Sequence, residues 1–275
     1  FTFAFLFKYL TLDRAAAAGL GGCVSEEVVM RSVVCVAVLV LVFVMVAGVG
    51  MGQVAVDESF DAYPVGSPPE SPWWNWGADG VTLVDDSQFC GSSGHSVVLS
   101  RSVFPGDGFA FGRHFPEQSG HLIVEFSFRI TGSPREILSA FLVDDDNAVG
   151  PWVTVGYPLS GLWVYSESLD WLWVAPGVLE NAWYRVRLDV RASANTYDIS
   201  VWPEDDPSAV DSLPSIPFRT SAGVGPLTNI QFGDFNVSVI PDAHVAWIDD
   251  VLVLPVVFGD SFESGDTSGW SSTAP

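Results

Sequence analysis

An antiparallel two-sheet β-sandwich is the fold that this 275-residue chain predicts, on three observations. The first is the stretch from Trp183 to Trp202. Tyr184, Val186, Leu188 and Val190 alternate with Arg185, Arg187, Asp189 and Arg191, and Tyr197, Ile199 and Val201 alternate with Thr196, Asp198 and Ser200. A period of two belongs to a half-buried strand. Ala192-Ser193-Ala194-Asn195 between the arms supplies small and Asx-type residues that close a tight connection. The second observation is that short β-rich runs, spaced by turn clusters, fill the chain from Val56 onward. The third is that no long helical pattern accompanies them. A hairpin with one apolar face needs a second layer, and only more strands are available to supply it.

In chain order the strands are expected at Val81–Asp85, Ser96–Ser100, Phe109–Phe115, His121–Ile130, Ile137–Val143, Trp152–Tyr157, Gly161–Ser166 and Trp171–Ala175. The central hairpin follows, then Pro217–Thr220, Asn229–Phe235 and His244–Leu254. The stretches Ser67-Pro68-Pro69-Glu70-Ser71-Pro72 and Asp205-Asp206-Pro207 read as turns or loops. In the hairpin, Tyr184, Val186, Leu188, Val190, Tyr197, Ile199 and Val201 are the expected core.

Ahead of the sandwich, Met30-Arg31 and the apolar run from Val33 to Met51 have the layout of a start, a short basic segment and the hydrophobic segment of a signal peptide. Gly50-Met51-Gly52 offers the small residues of a cleavage site. Residues 30–52 are therefore read as a signal peptide, and residues 1–29 as a leader or upstream translation outside the fold. The apolar run also approaches the roughly 18 residues that span a bilayer, so an uncleaved anchor in the cell envelope is the alternative. Either reading puts the body, residues 53–256, outside the cell. Residues 257–275, with Phe258, Asp260, Phe262, Glu263, Asp266 and Trp270, form an acidic-aromatic tail that echoes Asp57, Phe60, Gly66 and Trp73.

The formal charge is −22. Of the 11 basic and 33 acidic residues, 3 of each fall in residues 1–52, which leaves 8 arginines and no lysine against 30 carboxylates in residues 53–275. Such a field repels phosphate backbones and anionic lipid surfaces, so nucleic acid is excluded as a partner, and so is charge-driven membrane attachment. Cys23 and Cys35 lie in the leader region and Cys90 stands alone in the body, so no disulfide staples the domain. Stability has to come from the core.

Three segments together resemble the exported bacterial jelly-roll domains of the laminin-G-like and concanavalin A-like group. These are the opening Glu58-Ser59-Phe60-Asp61-Ala62-Tyr63-Pro64-Val65-Gly66 leading to Trp73, the Trp183–Trp202 hairpin, and the closing Ala246-Trp247-Ile248-Asp249-Asp250-Val251. The resemblance covers about residues 56–256. It implies an all-β jelly roll in which the first and last strands pair. The group holds sugar-binding modules, adhesion domains and glycan-cleaving enzymes, so the resemblance does not choose among those functions.

Alternation places Trp163 and Tyr165 on one face of their strand and Trp171 and Trp173 on one face of the next, with aliphatic residues opposite. If the two strands pair and the aliphatics face the core, the aromatics, extended by Trp152, form an outer platform of the kind on which sugars stack. If instead the tryptophans point inward, Leu162, Val164, Leu172 and Val174 need a covering loop. Calcium is the metal to consider. Asp57, Glu58, Asp249 and Asp250 converge if the first and last strands are neighbours, a junction where jelly-roll modules resembling this one often hold a structural calcium. Asp144-Asp145-Asp146-Asn147 is a second oxygen-rich loop.

Catalysis has weaker support. Concanavalin A-like hydrolases carry a Glu-x-Asp-type repeat on one strand, and none occurs within an expected strand here, leaving Glu167 and Asp170 as the acids nearest the aromatic strands. A lyase would gather Arg, His and Tyr, but Arg129, His121 and Tyr157 have no characteristic spacing. Histidines 95, 114, 121 and 244 stand apart from one another, against a zinc site.

The sequence thus points to an exported module that binds carbohydrate or another surface ligand. A glycan-cleaving enzyme and a structural or adhesive protein are the alternatives, and the oligomeric state stays open. For the export reading, N-terminal sequencing of the mature protein is expected to give a start between Ala47 and Val56. An intact Met30 in a membrane fraction means an anchor, and a cytosolic uncleaved product contradicts export.

Overall fold

The computed structural model describes residues 54–77, 80–91, 94–101, 108–131, 138–156, 161–220, 223–234 and 244–256. The expectations for the leader, the signal peptide and the C-terminal tail lie outside these residues.

Among the described residues, fifteen strands make two antiparallel sheets. In chain order they are β1 (Val56–Glu58), β2 (Trp73–Trp76), β3 (Gly80–Asp85), β4 (Ser96–Arg101), β5 (Phe109–Gln118), β6 (His121–Thr131), β7 (Leu138–Asp144), β8 (Val149–Val155), β9 (Gly161–Ser166), β10 (Asp170–Pro176), β11 (Trp183–Arg191), β12 (Thr196–Pro203), β13 (Asp211–Pro217), β14 (Leu227–Asp234) and β15 (His244–Val256). The first sheet runs β13-β12-β11-β6-β15-β4-β3, with β1 also paired to β15. The second runs β10-β9-β8-β7-β14-β5-β2. The first strand thus pairs with the last, Val56 opposite Val253 and Glu58 opposite Val251. Among the described residues there is no α-helix. The fold is an all-β, two-sheet jelly-roll sandwich.

The hairpin forms as its alternation dictates. β11 and β12 pair in unbroken register from Tyr184–Pro203 to Arg191–Thr196. Tyr184, Val186, Leu188, Val190, Tyr197, Ile199 and Val201 are all buried. One 3-10 turn, Ala192–Ala194, closes it, and Asn195 takes the left-handed conformation at φ 52°, which Asn tolerates better than most residues. From β6 of the first sheet, Phe126 meets Phe232 on β14 of the second edge to face, with centroids 5.2 Å apart. Phe232 in turn stacks on Phe111 of β5 at 5.4 Å. This aromatic contact ties the two inner faces together.

Three strands differ from the sequence reading. β1 and β2 are only three and four residues long and carry too little alternation to stand out. The strand expected at Pro217–Thr220 lies earlier, at Asp211–Pro217. Pro214 and Pro217 mask its pattern, and the edge of the sheet is where prolines are tolerated.

The outer face of the first sheet is a lattice of charge pairs. Arg187 meets Glu125 at 2.8 Å, Arg185 meets Asp250 at 2.8 Å and Glu204 at 3.3 Å, and His121 meets Asp189 at 2.8 Å. Arg191 clasps Asp198, which also accepts the Ser215 N–H at 2.6 Å. Burial alone would raise the Asp198 carboxyl, but Arg191 and the Ser215 N–H outweigh it and hold the group below its ordinary value of 3.8.

Two outcomes follow for denaturation experiments. Leu188→Ala is expected to cost about 2–5 kcal/mol as a core cavity, while Arg187→Ala stays within about 0.5 kcal/mol; the reverse order would mean the faces are inverted. Because Asp198 is depressed in the folded state, its contribution is complete above pH 3.8 and drains as the pH falls below that value. Asp198→Asn should therefore be less stable at neutral pH and show a shallower loss on acidification, read from urea midpoints at a series of pH values.

Candidate ligand-binding face

β9 and β10 pair with Trp171 opposite Tyr165 and Trp173 opposite Trp163. Leu162, Val164, Val174 and Ala175 are buried in the core and Leu172 packs against it, so the alternating aromatics are turned to the outer face of the second sheet. Trp163 and Trp173 stack face to face, with centroids 5.1 Å apart and planes within 4°. A register break between Trp173 and Ala175 lets the Trp173 indole N–H donate to the Ala175 carbonyl at 3.0 Å. The indole lies across Gly161, where a Cβ would come within 2.5 Å of its nitrogen. Trp163 is only 8% exposed beneath its partner, whereas Trp173 is 43% exposed.

The cluster continues inward along the sheet. Trp152 on β8 lies 5.6 Å from Tyr165 and 5.7 Å from Trp171, and Phe141 on β7 meets Trp152 edge to face at 5.8 Å. Tyr165 and Trp171 contact each other at 5.0 Å. Arg219 was not a candidate from sequence. Its segment is fixed to β8 by N–H donation from Arg219 to the Gly150 carbonyl and from Thr220 to the Val149 carbonyl, both at 3.0 Å. Its guanidinium lies 3.9 Å over the Trp152 ring and 5.6 Å from that of Tyr165. One face of Trp152 is therefore occupied by Arg219, and within the cluster Trp173 has the most exposed ring.

A second aromatic group sits at the opposite edge of the same face. Trp73 is buried in the core, so the next residue turns outward: Trp74 lies over Gly112, where a Cβ would come within 2.5 Å of its ring, and Trp76 is 52% exposed. The strand registers align Trp74 with Gly112, Gly112 with Gln231, Gln231 with Phe141 and Phe141 with Trp152. The two aromatic groups are thus ends of one row across seven strands, about 29 Å at the usual strand spacing. Between them lie small residues, including Ser139 and Thr154, whose hydroxyls share a 3.0 Å hydrogen bond. The buried Trp74 Nε1, Trp152 Nε1 and Asn229 Oδ1 have no hydrogen-bond partner. The signal for Trp74 and Trp76 was present in Trp73-Trp74-Asn75-Trp76, whose alternation separates one core tryptophan from two outer ones.

Three of the expected calcium ligands, Glu58, Asp249 and Asp250, have protein partners of their own. Although β1 and β15 are neighbours, Glu58 is engaged by the Phe60 N–H at 3.1 Å, the Tyr63 hydroxyl at 3.0 Å, the Trp73 indole N–H at 3.2 Å and Arg113 at 3.0 Å. Burial and then Glu58 push the Tyr63 phenol up to about 12. Asp249 accepts the N–H groups of Cys90 and Asp250, both at 2.8 Å, and Asp250 pairs with Arg185. In the second loop, Asp144 caps the turn by accepting from Asp146 at 3.0 Å, Ala148 at 2.8 Å and Gly225 at 2.7 Å. Among the described residues no three His, Cys, Asp or Glu side chains are arranged to hold a metal.

The nominated catalytic residues are also dispersed. Glu167 and Asp170 are exposed at the β9–β10 turn, with Asp170 at φ 62°. His121 and Arg129 stand eight residues apart on β6, in the other sheet, the former paired with Asp189 and the latter stacked on Trp247; Tyr157 lies outside the described residues.

No protein-family model matches the chain, and neither does any curated protein sequence. Solved structures do. A sialidase aligns with a TM-score of 0.55 and 15% identity over 74% of this chain and 18% of its own. The catalytic domain of a glycoside hydrolase family 131 protein from Coprinopsis cinerea aligns with a TM-score of 0.51 and 11% identity, over 75% of this chain and 96% of its own. Lectin II from Ulex europaeus aligns at 0.49 with 11% identity, over 74% and 99%. The likeness is one of fold. The chain spans less than a fifth of the sialidase chain, and identities this low carry no residue roles across.

Proposed function

We propose that this chain is an exported, non-catalytic jelly-roll module that binds carbohydrate through the outer aromatic face of the second sheet. The observation that carries the proposal is the direction of the side chains. Trp163, Tyr165, Trp171 and Trp173 sit outside the sandwich while Leu162, Val164 and Val174 fill it. A soluble domain that turns a block of aromatics away from its core presents an apolar patch suited to a ligand. Sugar rings suit such a patch because one face of the ring is apolar and its edge is rich in hydroxyls, and Gln231 on the same face offers an amide group to those hydroxyls.

The reading is non-catalytic because two-carboxylate hydrolysis needs an acid and a base or nucleophile flanking the bond. The outer-face positions identified on β2, β5, β7, β8, β9, β10 and β14 include no Asp or Glu. Each stacked ring would contribute about 1 kcal/mol, so a single module binds weakly and gains from repeated contact along a polymer.

Retention on polysaccharide columns tests the proposal. Trp171→Ala and Trp173→Ala, singly and together, are expected to abolish retention while the protein still melts cooperatively. If both variants lose the folded state, the aromatics serve stability and the adhesive or structural reading replaces this one. Release of reducing ends from any bound polymer would overturn the non-catalytic part.

A further inference from the structure

Arginine is scarce in this body, 8 residues against 30 carboxylates in residues 53–275, and most described arginines are neutralised. Arg113, Arg185, Arg187 and Arg191 each pair with at least one carboxylate. Arg129 has no such partner among the described residues, but it lies against Trp247 on the first sheet with its Nε buried. Arg219 lies on the aromatic face with its guanidinium carbon 3.9 Å from the centre of the Trp152 ring, and among the described residues none of its side-chain donors has an acceptor. Among the described residues no carboxylate affects its proton affinity, which burial lowers and the Tyr165 phenol opposes; a guanidinium remains charged at neutral pH regardless.

We infer that Arg219 makes this face selective for a glycan bearing an isolated acid group, a carboxylated or sulfated sugar within an otherwise neutral chain. The inference rests on the carbohydrate reading above. A guanidinium held against an indole is restrained by it, and its N–H groups form a fork that matches the two oxygens of a carboxylate or sulfate. Its position beside Tyr165 and Trp171 lets one sugar stack while the acid group of the same or the next sugar reaches the fork. The rest of the charge distribution sets the limit. A dense polyanion meets the field of a chain at −22 and is repelled. An acid group standing alone needs only the one local cation.

A glycan array of matched pairs tests this, each pair consisting of a neutral oligosaccharide and the same oligosaccharide with one carboxylated sugar or one sulfate ester. The wild-type chain is expected to prefer the acidic member by about 10-fold, the scale of one charge-assisted hydrogen-bonded contact, and whichever acid gains identifies the group. Arg219→Gln should bind both members of a pair equally. Arg219→Lys, which keeps the charge but not the fork, should fall between them and serves if the Gln variant does not fold. Equal wild-type binding within pairs, preference surviving in Arg219→Gln, or tighter binding to a dense sulfated polysaccharide each overturns the inference and leaves the carbohydrate reading standing. Folded wild-type protein that binds no glycan on the array overturns both.

Discussion

Burial of the two inner sheet faces against each other, joined where Phe126 meets Phe232, is the interaction on which the rest of the structure depends. A strand has two sides, and once one side is committed to a core the other must face outward. Leu162 and Val164 fix the direction of Trp163 and Tyr165 in this way, and Trp73 fixes that of Trp74. The aromatic outer face is therefore a consequence of what the core takes, and a register slip of one residue would bury it.

The two outer faces that result are chemically opposite. On the first sheet, Arg185, Arg187 and Arg191 lie on the hairpin among Glu125, Asp189, Asp198, Glu204 and Asp250, so charge is locally balanced and the face is suited to water. On the second, aromatic, small and amide-bearing residues replace the charges, and Arg219 enters that face from the segment after β13. In a molecule with so few cations, the contrast sets Arg219 apart from the arginines that serve the charge lattice.

The carboxylates outside that lattice have work in the backbone. Asp61 accepts the N–H groups of Gly94 and His95, Asp144 caps its turn, and Asp249 holds Cys90 and Asp250 at the point where the pairing of β15 with β6 shifts. At turns and irregularities the ladder leaves N–H groups unpaired, and a short acidic side chain satisfies them. Glu58, Asp144 and Asp249 thus each have a structural role within the chain itself.

The sequence alone determined the sandwich class, the central hairpin with all seven of its core residues, and the pairing of aromatic with aromatic on β9 and β10, because each depends on a local period of two. It did not reveal the strands that are too short or too proline-bearing to show a period, so Trp74 and Trp76 were missed as members of the face. Tertiary structure decided what local pattern does not encode. Sheet order put β2 and β10 at opposite edges of one face, and the return of the chain after β13 laid Arg219 on Trp152. Across β1 and β15, the backbones came together as expected, yet Glu58, Asp249 and Asp250 turned to separate partners, since backbone pairing sets which residues are neighbours while side-chain donors set where carboxylates point.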